Sequence, residues 1–201
     1  DLNYITDASS QHGRLQRRSA PGGQQITTFR QVLGPHGGAM AAIALACFFL
    51  TNSNLLLQSG FVKLSNTPFF YLVALPGLFS LFIGYLLLRH RTIDSRTIIW
   101  ILYLLLISIL EEIAFRLLIP LAILSSTGLI ASLIISNSVF ATIHFFTLRW
   151  KLVNCIGAFL GGLGLSRLFY VTEDLALIIL VHWFFTFLNT PSPPRDLTTQ
   201  K

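Results

Sequence analysis

Apolar residues in this chain fill long runs separated by short polar stretches, rather than alternating every second position or gathering on one helical stripe. Several runs reach roughly 20 residues, enough at about 1.5 Å per residue to cross a hydrocarbon core of about 30 Å. The pattern predicts an all-α fold, a polytopic transmembrane helix bundle of about six spans, since only helices and closed barrels satisfy their backbone in lipid. Residues 1–37 mix Gln, Ser, Arg and Gly without helical period. They read as a polar N-terminal arm, with a short amphipathic helix near Thr27–Leu33 resting on the membrane surface. The transmembrane domain is expected over 38–190, and a polar, proline-rich C-terminal tail over 191–201.

The spans differ in how cleanly the pattern marks them. The first, near Gly38–Leu57, is interrupted by Thr51-Asn52-Ser53-Asn54 and so is bent, re-entrant or crossing. The second, Pro68–Leu88, is uniformly apolar and carries Pro76, which removes one backbone donor. A third run from Thr97 to about Leu124 exceeds what a bilayer needs and must tilt or project. Only Ser125-Ser126-Thr127-Gly128 separates it from the fourth, Gly128–Leu148, so these two are expected as antiparallel neighbours. Gly157, Gly161, Gly162 and Gly164 give the fifth, Leu152–Val171, a surface of small residues suited to close helix packing. The sixth is Leu175–Asn189.

Composition strengthens the membrane reading. The chain is 53% hydrophobic and only 11% charged, against about 25% charged for a soluble domain. A net charge of +6 would raise nucleic acid as a partner in a soluble protein. Here the basic residues follow a membrane rule instead, and no nucleic-acid partner is expected. Arg14, Arg17, Arg18 and Arg30 lie in the arm, Arg89, Arg91 and Arg96 in the loop before the third span, Arg149 and Lys151 in the loop before the fifth, and Arg195 and Lys201 in the tail. The opposite loops carry only Lys63. The positive-inside rule then puts both termini in the cytoplasm, or in the stroma of an organelle of bacterial descent. Cys47 and Cys155 stand alone within apolar runs and read as packing residues. Trp100 and Trp150 suit interfacial anchoring.

Charge inside the apolar runs is costly, about 3 kcal/mol per centrally placed residue on insertion scales, and so marks candidate chemistry. Glu111, Glu112 and Arg116 lie within the third span. Glu112 and Arg116 are spaced to share one helical face, in the order that favours an ion pair. Glu111 points about 100° away and has no such partner on its own helix. His144 follows Phe140 by one turn in the fourth span; His182 precedes Thr186 by one turn and Asn189 by two in the sixth. A carboxylate and two imidazoles from three helices can bind a divalent metal such as zinc, or can activate water and stabilise an oxyanion directly. Both routes point to hydrolysis. Depth along the helices sets a condition. Glu111 lies about 22 Å from Arg96 and His144 about 7 Å from Arg149, so they meet only if the third span tilts or projects.

The order Glu111-Glu112-x-x-x-Arg116, Phe140-x-x-x-His144 and a late intramembrane His182 resembles the CPBP family, the CAAX prenyl endopeptidases and bacteriocin-processing (Abi) proteins. The resemblance spans roughly residues 97–190. It implies an intramembrane endopeptidase cleaving a membrane protein or peptide, with Glu111 as general base and His144 its partner, or both as ligands with His182 in a metal-dependent, metalloprotease-like account. His182 would help hold the oxyanion, while Glu112, Arg116, Phe140, Thr186 and Asn189 would support the site. That family usually has Asn or Asp where this chain has Thr186. The other implied role is a catalytically weak or inactive family member that binds, assembles or stabilises a membrane protein complex. The resemblance names no substrate. The membrane implied is a bacterial inner membrane or one of bacterial descent.

Overall fold

The computed structural model describes residues 17, 18, 26, 28–51 and 53–194. Among the described residues eight helices follow in chain order: α1 Phe29–Leu50, α2 Ser53–Gly60, α3 Val62–Asn66, α4 Pro68–Leu88, α5 Ser95–Thr127, α6 Leu129–Thr147, α7 Leu152–Thr172 and α8 Leu175–Asn189. No β-strand occurs among the described residues. An isolated antiparallel bridge joins Arg17 to Trp150.

Five of these helices, α1, α4, α5, α6 and α7, are long and apolar enough to cross a membrane, and the chain is an integral multi-pass membrane protein. The sixth expected span, α8, has 15 residues, about 22 Å of helix, which falls short of a bilayer core by itself. This shorter apolar helix completes the expected bundle as a packed inner helix: Leu175, Ile178, Trp183 and Phe187 are almost fully buried. The other inner helix is α5, with 56% of its apolar window buried against 33% or less for the other spans. Phe49, Leu50, Phe69, Leu72, Leu88, Ile130 and Val153 remain exposed, as lipid-facing positions do when the solvent is itself apolar.

Two expectations about the chain's start are corrected. The helix near Thr27–Leu33 is not a separate surface helix: Thr28 caps Phe29 in a capping box with Gln31, and α1 runs on from there to Leu50. Its first turn is held inward because Phe29 packs edge-on against Trp100 (5.5 Å) and Tyr103 (5.2 Å). The helical body thus begins at Phe29 rather than Gly38. Nor is the arm simply solvated where it is described. Arg18 N donates to the Arg149 carbonyl at 2.6 Å, and its guanidinium lies 3.5 Å from the centre of the Phe145 ring. The rest of residues 1–25, Thr27 and the tail from Arg195 lie outside the described residues.

The interruption at Thr51–Asn54 does break the helix: α1 stops at Leu50, where Thr51 folds its N–H and hydroxyl back onto the Cys47 carbonyl. α4 runs unbroken through Pro76. Between α5 and α6 only Gly128 intervenes, at φ +77° and ψ 167°, a conformation closed to residues with a Cβ. The two helices form the expected hairpin. Trp100 serves packing rather than interfacial anchoring, being buried and donating Nε1–H to the Thr190 carbonyl at 2.8 Å, while the half-buried Trp150 lies 4.6 Å from the His144 ring. Both cysteines are free thiols.

Candidate functional site

The length of α5, 33 residues and about 50 Å, lets it carry Glu111 to the level of His144. Immediately after Glu112 the helix widens into a π-helical segment, Ile113–Leu118, where the Ile119 N–H reaches back to the Ala114 carbonyl. This shift strands the Phe115 carbonyl, because its π-helical donor would be residue 120, and Pro120 has no N–H. Ser136 of α6 repairs the loss by donating its hydroxyl to Phe115 O at 2.7 Å. The widened turn and its repair fix how the segment from Glu111 to Arg116 faces α6 and α8.

At the centre lies Glu111, 1% exposed. Its Oε1 is 3.5 Å from His144 Nε2, and its Oε2 is 3.5 Å from His182 Nε2. The three residues that the sequence singled out from three helices therefore converge. Glu112 takes a separate position: its Oε1 lies 2.6 Å from His182 Nδ1 and its Oε2 3.2 Å from Arg116 Nε. Neither is an aligned hydrogen bond; the Arg116 contact is an ion pair, and the His182 contact becomes one when the ring is protonated. Buried charges of this kind persist only when paired. The Arg116 guanidinium also lies 4.6 Å from the centre of the Phe140 ring, a cation–π contact. Phe140 in turn stands 4.4 Å edge-on to His144 and gives its backbone carbonyl to His144 Nδ1 at 2.8 Å.

Thr186 and Asn189 take no part in this network. Both are half-buried on α8, and among the described residues neither side chain hydrogen-bonds to the carboxylates or histidines. Thr186 offers only its carbonyl, to Thr190.

Besides Ser136, the sequence reading missed three participants. His36, within the π-helical turn Leu33–Gly37 of α1, is buried, and its Nε2 lies 3.1 Å from Glu111 Oε1. Its Nδ1 lies 2.8 Å from the Thr147 hydroxyl. A histidine in the segment Leu-Gly-Pro-His-Gly reads as a turn, and only its position one helix before an unpaired intramembrane carboxylate hinted otherwise. Asn137 and Ser166 are the others, joined by an Nδ2–H to Oγ bond of 3.0 Å between α6 and α7. The signal for Asn137 was a carboxamide inside an apolar helix, which must find a partner. Of the four glycines of α7, Gly162 alone meets a neighbouring helix closely: a Cβ there would stand 2.2 Å from Asn137 Oδ1 and 3.2 Å from an Arg116 nitrogen.

His36, Glu111 and His144 each offer a ligand atom, all within 4.8 Å of one another. Among the described residues, a buried carboxylate ringed by imidazoles can hold a divalent metal, or can bind a water between acid and base partners and shuttle its proton.

In comparison with known protein families, residues 93–188 fit the model of the Rce1-like family, described as type II CAAX prenyl endopeptidase Rce1-like. No curated protein and no solved structure matches the chain. The matched segment includes Glu111, Glu112, Arg116, Phe140, His144 and His182, and leaves His36 outside.

Proposed function

We propose, on the premise that residues 93–188 form an Rce1-like type II CAAX prenyl endopeptidase domain of the CPBP family, that this chain hydrolyses a peptide bond in a membrane-associated protein or peptide. The family supports an intramembrane-protease kind of function, and the observation that carries the mechanism is the approach of His144 and His182 to opposite oxygens of one buried carboxylate, Glu111.

In this reading a water binds between Glu111 and His144. Glu111 takes its proton as the water oxygen adds to the substrate carbonyl carbon, and His144, oriented through its Nδ1–H to the Phe140 carbonyl, helps hold the water. The tetrahedral oxyanion accepts a hydrogen bond from His182, which carries a proton at Nε2 while Glu112 balances the ring at Nδ1. As the C–N bond breaks, Glu111 returns its proton to the leaving amine nitrogen, giving a carboxylic acid and a free amine. Arg116 keeps the charge of Glu112 paired. Phe140 braces Arg116 and His144 from one ring. With Thr186 replacing the family's Asn or Asp, the oxyanion depends on His182 among the side chains of this cluster.

The basic loops gather at one end of the bundle. Arg18 pairs with the loop at Arg149, and the start of α5 meets both Phe29 and the Thr190 carbonyl. By the positive-inside rule this end faces the cytoplasm or stroma, in a bacterial inner membrane or one of bacterial descent.

A second reading, a non-hydrolytic member that stabilises a membrane protein complex, draws on Thr186. Both are tested by comparing protein termini in membranes from cells expressing the wild type, Glu111→Gln or His144→Ala at equal levels. Hydrolysis requires new N-termini or trimmed C-termini that depend on the wild type and vanish in both variants. Identical termini with Glu111→Gln would sink hydrolysis, and a partner retained by that variant would support the second reading.

A further inference from the structure

The helices α6 and α7 are locked together by the Asn137–Ser166 bond and by the close pass of Gly162. Between that lock and the loop that joins them they leave a groove of about 440 Å³, walled by Ala141, Phe145 and Phe146 of α6 and by Leu152, Ile156 and Phe159 of α7. Thr142, also in the wall, spends its hydroxyl hydrogen on the Ser138 carbonyl at 2.7 Å. Phe146, Leu152 and Ile156 are exposed, so the groove opens to the lipid. Its loop end is different in kind. The loop carries Arg149 and Lys151, and Arg18 is fastened there: its N–H donates to the Arg149 carbonyl at 2.6 Å and its Nη2 to the Phe145 carbonyl at 2.9 Å, with the guanidinium 3.5 Å from the centre of the Phe145 ring. The Phe145 bond uses one of five guanidinium N–H groups. Stacking on a ring leaves the edge of the fork open to other acceptors, and Arg18 is exposed. Neither α6 nor α7 contains an acidic residue. Apolar walls thus end in a cationic mouth.

We propose that this groove is a site for one anionic phospholipid, with an acyl chain along the α6–α7 wall and the phosphate on Arg18 and Lys151. Burial of the chain cannot select the occupant, because an acyl chain entering the groove leaves surroundings that are equally apolar. Selection falls to the headgroup. Each basic residue near a membrane surface favours an anionic lipid by roughly fivefold. A guanidinium fork adds bidentate contact with phosphate oxygens, whereas the lysine acts as a point charge. A zwitterionic headgroup offers the same phosphate but brings its own cation into a mouth that already holds three. Arg149 supplies the third while standing in the left-handed region at φ +54°, where glycine would be free of strain. The chain bears that strain and keeps a cation in the loop. The site lies apart from the Glu111 centre and holds whether or not the chain hydrolyses a peptide.

The test titrates the full chain, delipidated in detergent micelles, with phosphatidylglycerol or phosphatidylcholine of the same acyl chains, and counts bound lipid by native mass spectrometry. One phosphatidylglycerol per chain, held about tenfold or more tightly than phosphatidylcholine, is the expected result. Arg18→Gln and Lys151→Gln should each weaken that binding about fivefold, and the two together about 25-fold. Arg89→Gln removes an exposed charge from the loop between α4 and α5 and should leave it unchanged. Ile156→Trp fills the groove without altering charge and should lower the occupancy of both lipids. All four side chains are exposed, so the variants keep the fold, which matched thermal unfolding verifies. Equal binding of the two lipids would overturn the headgroup assignment. Phosphatidylglycerol binding that survives both the Arg18→Gln, Lys151→Gln pair and Ile156→Trp, or falls as far with Arg89→Gln as with Arg18→Gln, would overturn the site.

Discussion

The Nε2 atom of His36 lies 3.1 Å from Oε1 of Glu111 although 75 residues separate them. The approach is possible because α1 begins early enough to lay its π-helical turn across α5 and because Thr147 at the end of α6 fixes the far side of the ring. The first helix thus closes the centre that the family segment opens.

Asp94 starts the helix that carries Glu111. It caps α5 by accepting from the Thr97 hydroxyl at 2.7 Å and the Thr97 N–H at 2.8 Å. Those two bonds hold its pKa below the ordinary 3.8. A depressed carboxylate contributes stability above its unfolded pKa and loses it as pH falls through the folded one. Asp94→Ala should cost roughly 0.5–2 kcal/mol near neutrality, and the gap to wild type should close as pH drops below about 4. Thermal unfolding in detergent across this range checks it, and a gap independent of pH would refute the assignment.

Ser136 substitutes for a donor that Pro120 removes. Ser136→Ala leaves the Phe115 carbonyl buried and unpaired, at a cost of about 1–3 kcal/mol. Adding Pro120→Ala restores a backbone N–H within reach of that carbonyl and should recover part of the loss. A double variant no more stable than Ser136→Ala alone would show that the π-helical segment does not depend on this exchange.

Why some of this was legible and some not follows from the solvent. In lipid a helix advertises itself by uninterrupted apolar length, so Pro68–Leu88 and Leu175–Asn189 begin and end where the sequence indicated. A charge inside such a run is equally visible, hence Glu111, Glu112 and Arg116. The start of α1 was hidden because Arg30, Gln31, Gly34, Pro35 and Gly37 look like a polar arm. Its burial comes from tertiary contacts of Phe29 and Val32, not from local pattern. His36 was lost with it. Ser136 and Asn137 were overlooked for a different reason: short polar side chains can bond their own helix, as Asn137 does to the Leu133 carbonyl, so only the fold reveals what else they hold.

Gly161 and Gly162 should respond oppositely to the same change. Gly161 is exposed, and a Cβ there meets nothing within 4 Å, so Gly161→Ala gains up to about 1 kcal/mol of helix propensity. At Gly162 the new methyl would stand 2.2 Å from Asn137 Oδ1. Asn137 cannot withdraw without straining its bonds to Leu133 O and Ser166 Oγ, and Arg116, which the methyl would also crowd, is held against Glu112. Overpacking of this kind costs about 1–3 kcal/mol. Because Arg116 braces Glu112, and Glu112 holds His182, Gly162→Ala should also slow the proposed cleavage. Thermal unfolding of the two variants side by side decides the packing argument, which fails if Gly162→Ala is as stable as Gly161→Ala.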